Sequence, residues 1–223
     1  FNLHFMLTTS LFWLTMVFIN TIILFIKNFL KGVLLVDTTI TTVKRSRSLV
    51  LCSFFAALIA VGAFIKVPVP LVPFTLQFLF TTLAGLLLGK RLGALSVLLY
   101  IGIGLAGVPI FASGGGFSYI LNPTFGYLLG FALGTYITGW IAESFSNPGF
   151  KQLLIAALAG LAGVYILGML YYYFIANFYL GTPIGAKALV LYCFILAVPG
   201  DIFLCYVSAL VAKKIRPVLL GRD

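Results

Sequence analysis

Seven apolar stretches, at 7–26, 49–65, 74–89, 92–109, 123–142, 152–173 and 187–212, follow one another along the chain, with almost all of the charge confined to the segments between them. A bilayer core of about 30 Å is crossed by roughly 20 helical residues. Lipid cannot satisfy exposed backbone N–H and C=O groups, so a spanning segment must close its hydrogen bonds internally. Composition supports the same reading. The 223 residues are 62% hydrophobic and 8% charged, with a mean hydropathy of +1.20. A soluble domain carries about 25% charged residues. The chain therefore reads as an all-α integral membrane protein.

The net charge of +10 does not point to nucleic acid, because the basic residues form no face or stripe. They fall between apolar segments, as membrane topology requires. If residue 49 begins on the cytoplasmic side, then Lys44, Arg45, Arg47, Lys90, Arg91, Lys151, Lys213, Lys214, Arg216 and Arg222 lie inside. Lys66 and Lys187 alone lie outside. Turn chemistry marks the breaks: VPVPLVP at 67–73, GKRLG at 89–93, SNPG at 146–149 and GTPIG at 181–185. Four parts are expected: an extra N-terminal hydrophobic helix (1–31), a Thr-rich and basic cytoplasmic linker (32–48), a six-helix membrane domain (49–216) and a cytoplasmic tail (217–223). The first apolar run lacks a preceding basic residue and a clear cleavage site, so it does not read as a signal peptide.

Several chemistries find no residues to carry them. The single histidine, His4, rules out a histidine metal site or triad. Cys52, Cys193 and Cys205 have no CxxC spacing and read as small apolar residues. GIGLAG at 102–107 matches GxGxxG, but its first downstream acid is Glu143, so its glycines are expected to serve helix packing. GLLLGKR at 85–91 lacks the spacing of a P-loop, so an ATP-driven role needs a partner. No cofactor is expected.

The informative group is Asp201, in AVPGDIF at 197–203. About 21 Å of helix separates it from Lys187 and about 18 Å from Lys213, which places the carboxylate near mid-membrane. A charge there costs at least about 2.5–3.5 kcal/mol on insertion scales. It should face the bundle interior and serve a ligand. Pro199 and Gly200 should distort the helix just before it. Two outer loops complete the picture: ASGGGFSYILNP at 112–123, whose glycines expose backbone, and the proline-stiffened VPVPLVPFTLQ at 67–77, a candidate lid.

VPFTLQ (72–77), LAGVPIFASGGG (105–116), NPTFGYLLGF (122–131) and VPGD (198–201) resemble the BioY family, the biotin-specific S components of energy-coupling-factor transporters. The resemblance covers residues 48–216. It implies a six-helix bundle in the plasma membrane that holds biotin near its outer face. It also implies docking to a transmembrane coupling protein and two cytosolic ATPases, with no enzymatic activity. The implied pocket comprises Asp201, the loop glycines Gly114, Gly115 and Gly116, and the 67–77 loop. Asp201 would accept ureido N–H groups, with Gln77, Thr75 or Asn122 among the other polar groups. Phe74, Phe117, Tyr119 and Tyr127 would wall the thioether ring. Leu204 stands where the family commonly has lysine, so Lys66 is expected to face the ligand carboxylate at the pocket mouth. Ser53, Ala56 and Ala60 resemble the small-residue motif by which S components meet the coupling protein. A proton-coupled transporter or channel relaying through Asp201 is the alternative; it would need further titratable groups along a path.

Overall fold

The computed structural model describes residues 17, 20–33, 41–67, 74–182, 184–195 and 197–219. Helix α1 covers 20–33 and α2 covers Thr41–Phe64. A short antiparallel ribbon follows, β1 (Lys66–Val67) with β2 (Phe74–Thr75), pairing Lys66 with Thr75. Then come α3 (Gln77–Leu105), a 3-10 turn (Phe117–Leu121), α4 (Phe125–Glu143) and α5 (Phe150–Phe174). The chain ends with α6 (Ala186–Val190) and α7 (Val198–Leu219). Five helical stretches among the described residues are long and apolar enough to cross a membrane: Ser46–Phe64, Gln77–Leu105, Phe125–Glu143, Phe150–Tyr179 and Lys187–Pro217.

Helix α3 is not straight. Gly89 has φ 81° and ψ −177°, a conformation open to glycine alone. A Cβ on Gly93 would lie 2.8 Å from the carbonyl oxygen of Ala84. In a continuous helix those residues would stand about 13 Å apart. The chain therefore doubles back at Gly89, and the predicted spans 74–89 and 92–109 are two antiparallel arms of one element. The turn is sharper than the GKRLG motif suggested, because the helix resumes at Lys90. Glu143 holds it, accepting from the Lys90 backbone N–H at 3.0 Å and pairing with Lys90 Nζ at 3.5 Å. Arg216 Nη1 donates to the Leu86 carbonyl at 3.0 Å from the other side.

The helices are apolar all round, so removal from water does not choose which face turns inward. Close packing does. Gly134 and Gly160 bring α4 and α5 together: a Cβ on either would lie 2.7 Å from the other's carbonyl oxygen. Gly102, Gly104 and Gly107 do something different from the helix packing expected of them. Gly104 seats the Phe111 ring, Gly102 faces open space, and Gly107 turns the chain out of α3 with φ 110°.

Several boundaries differ from the hydropathy reading. Helix α1 continues to residue 33, and 7–16 lie outside the described residues. Helix α2 starts at Thr41, within the stretch read as linker. The rings of Phe29 and Phe54 stack at 3.7 Å and pack α1 on α2. Helix α5 extends through a π-helical turn at Ile175–Tyr179. Helix α7 runs past 216 to Leu219, and 220–223 are outside the described residues.

Candidate ligand-binding site

The last predicted span, 187–212, is broken at mid-depth. Helix α6 passes into a π-helical turn at Leu191–Ile195, and α7 begins at Val198. Pro199 causes no kink, because it occupies the first turn of α7, where a missing N–H leaves no intrahelical bond unmade. Asp201 is in the same turn and is 9% exposed. Helix N-termini carry partial positive charge, so this position favours a carboxylate. The Tyr165 hydroxyl on α5 donates to Asp201 Oδ2 at 2.5 Å. Asp201 makes no ion pair among the described residues. A helix end and one hydroxyl thus hold the carboxylate, and Oδ1 has no hydrogen bond among the described residues. Irregular backbone at membrane depth is tolerated where it lines a cavity, and the break does so through Cys193 and Ala197.

Five of the residues singled out from sequence come together on this cavity: Thr75, Gln77, Tyr119, Tyr127 and Asp201. Thr75 comes from β2 and Gln77 from the first turn of α3. Tyr119 comes from the 3-10 turn. Tyr127, from α4, sets its ring at 88° to that of Tyr165, with centroids 6.1 Å apart. Phe78, Leu128, Phe131 and Val164 add apolar wall. Gln77 is 2% exposed, and its Nε2 has no hydrogen-bond partner.

The glycine-rich loop shapes the cavity rather than lining it. Gly114, Gly115 and Gly116 are absent from its wall, to which the loop gives Ala112 and Tyr119. Gly114 (φ 118°) bridges to Phe111, and the Gly116 N–H donates to the Gly104 carbonyl at 2.7 Å. Phe111, buried between Tyr100 and Tyr119, anchors the loop. Asn122 also acts one step away: its Oδ1 accepts from the backbone N–H and hydroxyl of Thr124, and Thr124 lines the cavity. The Tyr171 hydroxyl donates to the Ile120 carbonyl and ties the 3-10 turn to α5.

Phe117 points away, 76% exposed. Phe74 lies in β2, its side chain outside the described set, as are residues 68–73 of the expected lid. Lys66 is exposed at the rim, where Nζ donates to the Ala112 carbonyl at 2.8 Å. Leu204 is buried and does not line the cavity. Sequence reasoning passed over Tyr165, whose signal was faint: one ring with a polar tip inside LAGVYILG. On α2, Ser53 is exposed and Ala60 half-buried, but Ala56 is 3% exposed and turned into the core. Ala57 is the exposed small residue one turn from Ser53.

The cavity offers an acceptor at Asp201, a donor at Gln77, hydroxyls at Thr75, Thr124 and Tyr119, and aromatic walls. That suits a small, largely apolar ligand carrying both N–H and C=O groups. Among the described residues no group of three or more His, Cys, Asp or Glu could hold a metal ion.

Comparison with known proteins gives one answer. A Lysinibacillus sphaericus protein named "Probable biotin transporter BioY" is 46% identical over 171 residues, covering 77% of this chain and 87% of that protein. "Biotin transporter BioY" of Thermotoga maritima is 37% identical, covering 79% of this chain and 99% of its own length. In fold, the chain matches the crystal structure of the S-component for biotin from an ECF-type ABC transporter. That match has a TM-score of 0.66 at 24% identity, over 80% of this chain and 95% of the other. Membrane-length helices and these relatives make it a multi-pass membrane protein of a transporter family, not an enzyme. Residues 36–221 match the description of the BioY family, and the chain belongs to that family.

Proposed function

We propose that the chain binds biotin in the Asp201 cavity and delivers it across the plasma membrane as the substrate-binding subunit of an ATP-driven transporter. The observation that carries this reading is the Asp201–Tyr165 pair. It presents a buried carboxylate with Oδ1 free of hydrogen bonds among the described residues, in a largely apolar and aromatic wall whose other polar groups include Gln77, Thr75 and Thr124. A carboxylate is acceptor-only and can take a ureido N–H of biotin. The thioether ring and aliphatic chain then lie against Phe78, Tyr127, Phe131 and Val164.

The reversal at Gly89 supports a six-helix membrane domain made of α2, the two arms of α3, α4, α5 and the α6–α7 stretch, preceded by the extra helix α1. The cavity end carries Lys66, and the other end carries most of the basic residues. The positive-inside rule therefore puts the cavity at the outer face. Biotin's carboxylate points outward toward Lys66, and the ureido ring is the buried end. The chain carries no P-loop motif, so coupling falls to a transmembrane partner and two cytosolic ATPases. The small-residue line Ser53, Ala57 and Ala60 on α2 fits docking to that partner, with Ala57 in place of the buried Ala56.

Isothermal titration of biotin into the purified full chain in detergent tests binding. Uptake into vesicles, with and without the coupling protein and ATPases, tests the energy source. The reading predicts saturable binding to the chain alone and ATP-dependent accumulation only with the partners. No biotin binding by a folded chain would sink it, and accumulation driven by a proton gradient without ATPases would favour the relay alternative.

A further inference from the structure

We infer that Gln77 sets ligand specificity: its Nε2 donates a hydrogen bond to the ligand's buried carbonyl oxygen and so selects a cyclic urea over a cyclic guanidine. This rests on the biotin reading and adds the group that reads the urea oxygen. Gln77 opens α3, is 2% exposed and lines the cavity. Its Nε2 is the buried side-chain nitrogen or oxygen left without a hydrogen-bond partner among the described residues. Buried polar atoms are rarely left so. Its neighbours give their protons elsewhere. Tyr100 Oη lies beside the amide without a bond of hydrogen-bond geometry to it, and its own proton goes to the Ile110 carbonyl at 3.0 Å. Thr81 Oγ1 donates to the Phe78 carbonyl, and Thr135 Oγ1 to the Thr81 carbonyl. The exception is thus the one side-chain amide among the residues that line the cavity.

Asp201 supplies an acceptor from α7, and Gln77 supplies a donor from α3. A cyclic urea places its carbonyl between two N–H groups, so one donor and one acceptor on different walls can engage it together. In 2-iminobiotin an imino nitrogen replaces the urea oxygen. At neutral pH its guanidine is protonated and donates only, leaving Gln77 Nε2 facing another donor. A site built to hydrogen-bond one group discriminates strongly against an analogue that leaves that bond unmade.

The test is competition titration of biotin and 2-iminobiotin at neutral pH on the purified full chain, for the wild type, Gln77→Met and Gln77→Glu. The wild type should prefer biotin. Gln77→Met, close in size, should lose about tenfold or more in biotin affinity and less for 2-iminobiotin. Gln77→Glu should invert the preference by offering the guanidinium a second acceptor. The affinity ratio is read on one preparation, so partial misfolding does not change it. If Gln77→Glu does not fold, the Gln77→Met ratio decides. A Gln77→Met ratio within twofold of wild type overturns the inference. So does Gln77→Glu binding biotin like wild type, since the amide oxygen would then be the ligand-facing end. Failure of the wild type to bind biotin overturns the biotin reading as well, whereas normal wild-type binding with an unchanged ratio overturns this inference alone.

Discussion

The Tyr165 hydroxyl donates to Asp201 Oδ2 across 2.5 Å and joins α5 to the first turn of α7. One oxygen of the carboxylate is thereby fixed, and the other makes no hydrogen bond among the described residues. A hydrogen bond to a charged group is worth about 1.5–3 kcal/mol. Asp201→Asn removes the charge and replaces an acceptor with a donor, so biotin affinity should fall at least about tenfold. Tyr165→Phe keeps the ring wall but frees the carboxylate to rotate, and should weaken biotin by about three- to tenfold. The two losses should not add, because residues in one network couple. Titration calorimetry on both single variants and the double variant reads this directly. Additive losses would mean that Tyr165 acts independently of Asp201.

Lys66 reaches the cavity rim and donates to the Ala112 carbonyl at 2.8 Å. An exposed ammonium of this kind contributes roughly 1 kcal/mol or less to an ion pair. Biotin amide should therefore bind within about tenfold of biotin, and Lys66→Ala should weaken biotin more than the amide. Competition binding with the two ligands checks both statements. A much larger loss for the amide, unaffected by Lys66→Ala, would place the ligand carboxylate elsewhere.

Gly89→Ala should destabilise the fold. The reversal of α3 requires φ 81°, and a Cβ there would meet Glu143 Oε1. The backbone strain alone is of order 1–3 kcal/mol. Thermal unfolding in detergent should show a lower midpoint for Gly89→Ala, and Glu143→Ala should not rescue it, because it relieves the contact but not the backbone. Full rescue would show that the contact dominates over the dihedral angle.

Docking through α2 should depend on Ala57 and not on Ala56. Ala57→Trp adds bulk to an exposed face, so it should block ATP-driven uptake while biotin binding by the isolated chain stays within a few-fold. Ala56→Trp forces an indole into the core, where overpacking costs typically 1–3 kcal/mol, so it should lower thermal stability. Reconstituted uptake together with melting curves separates the two variants. Uptake unchanged in Ala57→Trp would move the docking surface off this face.

Hydropathy made the membrane class legible, because a bilayer imposes one length and one polarity on every span, and both are sums over local sequence. Asp201 was legible for the same reason: a carboxylate between apolar runs is costly unless it has a function. Pro199 and Gly200, expected to distort the helix there, instead lie within the first turn of α7. What the sequence could not show was which way a side chain faces. In a helix that is apolar all round, lipid and protein interior are alike to an aliphatic residue, so no period separates Ala56 from Ala57 or Tyr165 from its neighbours. Close approach decided those: Gly134 against Gly160, the fold-back at Gly89, and Phe111 seated on Gly104. The loop glycines were expected as ligand contacts, but exposed backbone can equally bond a ligand or its own chain. Only the tertiary structure shows Gly116 giving its N–H to Gly104, while Tyr119, Tyr165 and Gln77 take the places facing the cavity.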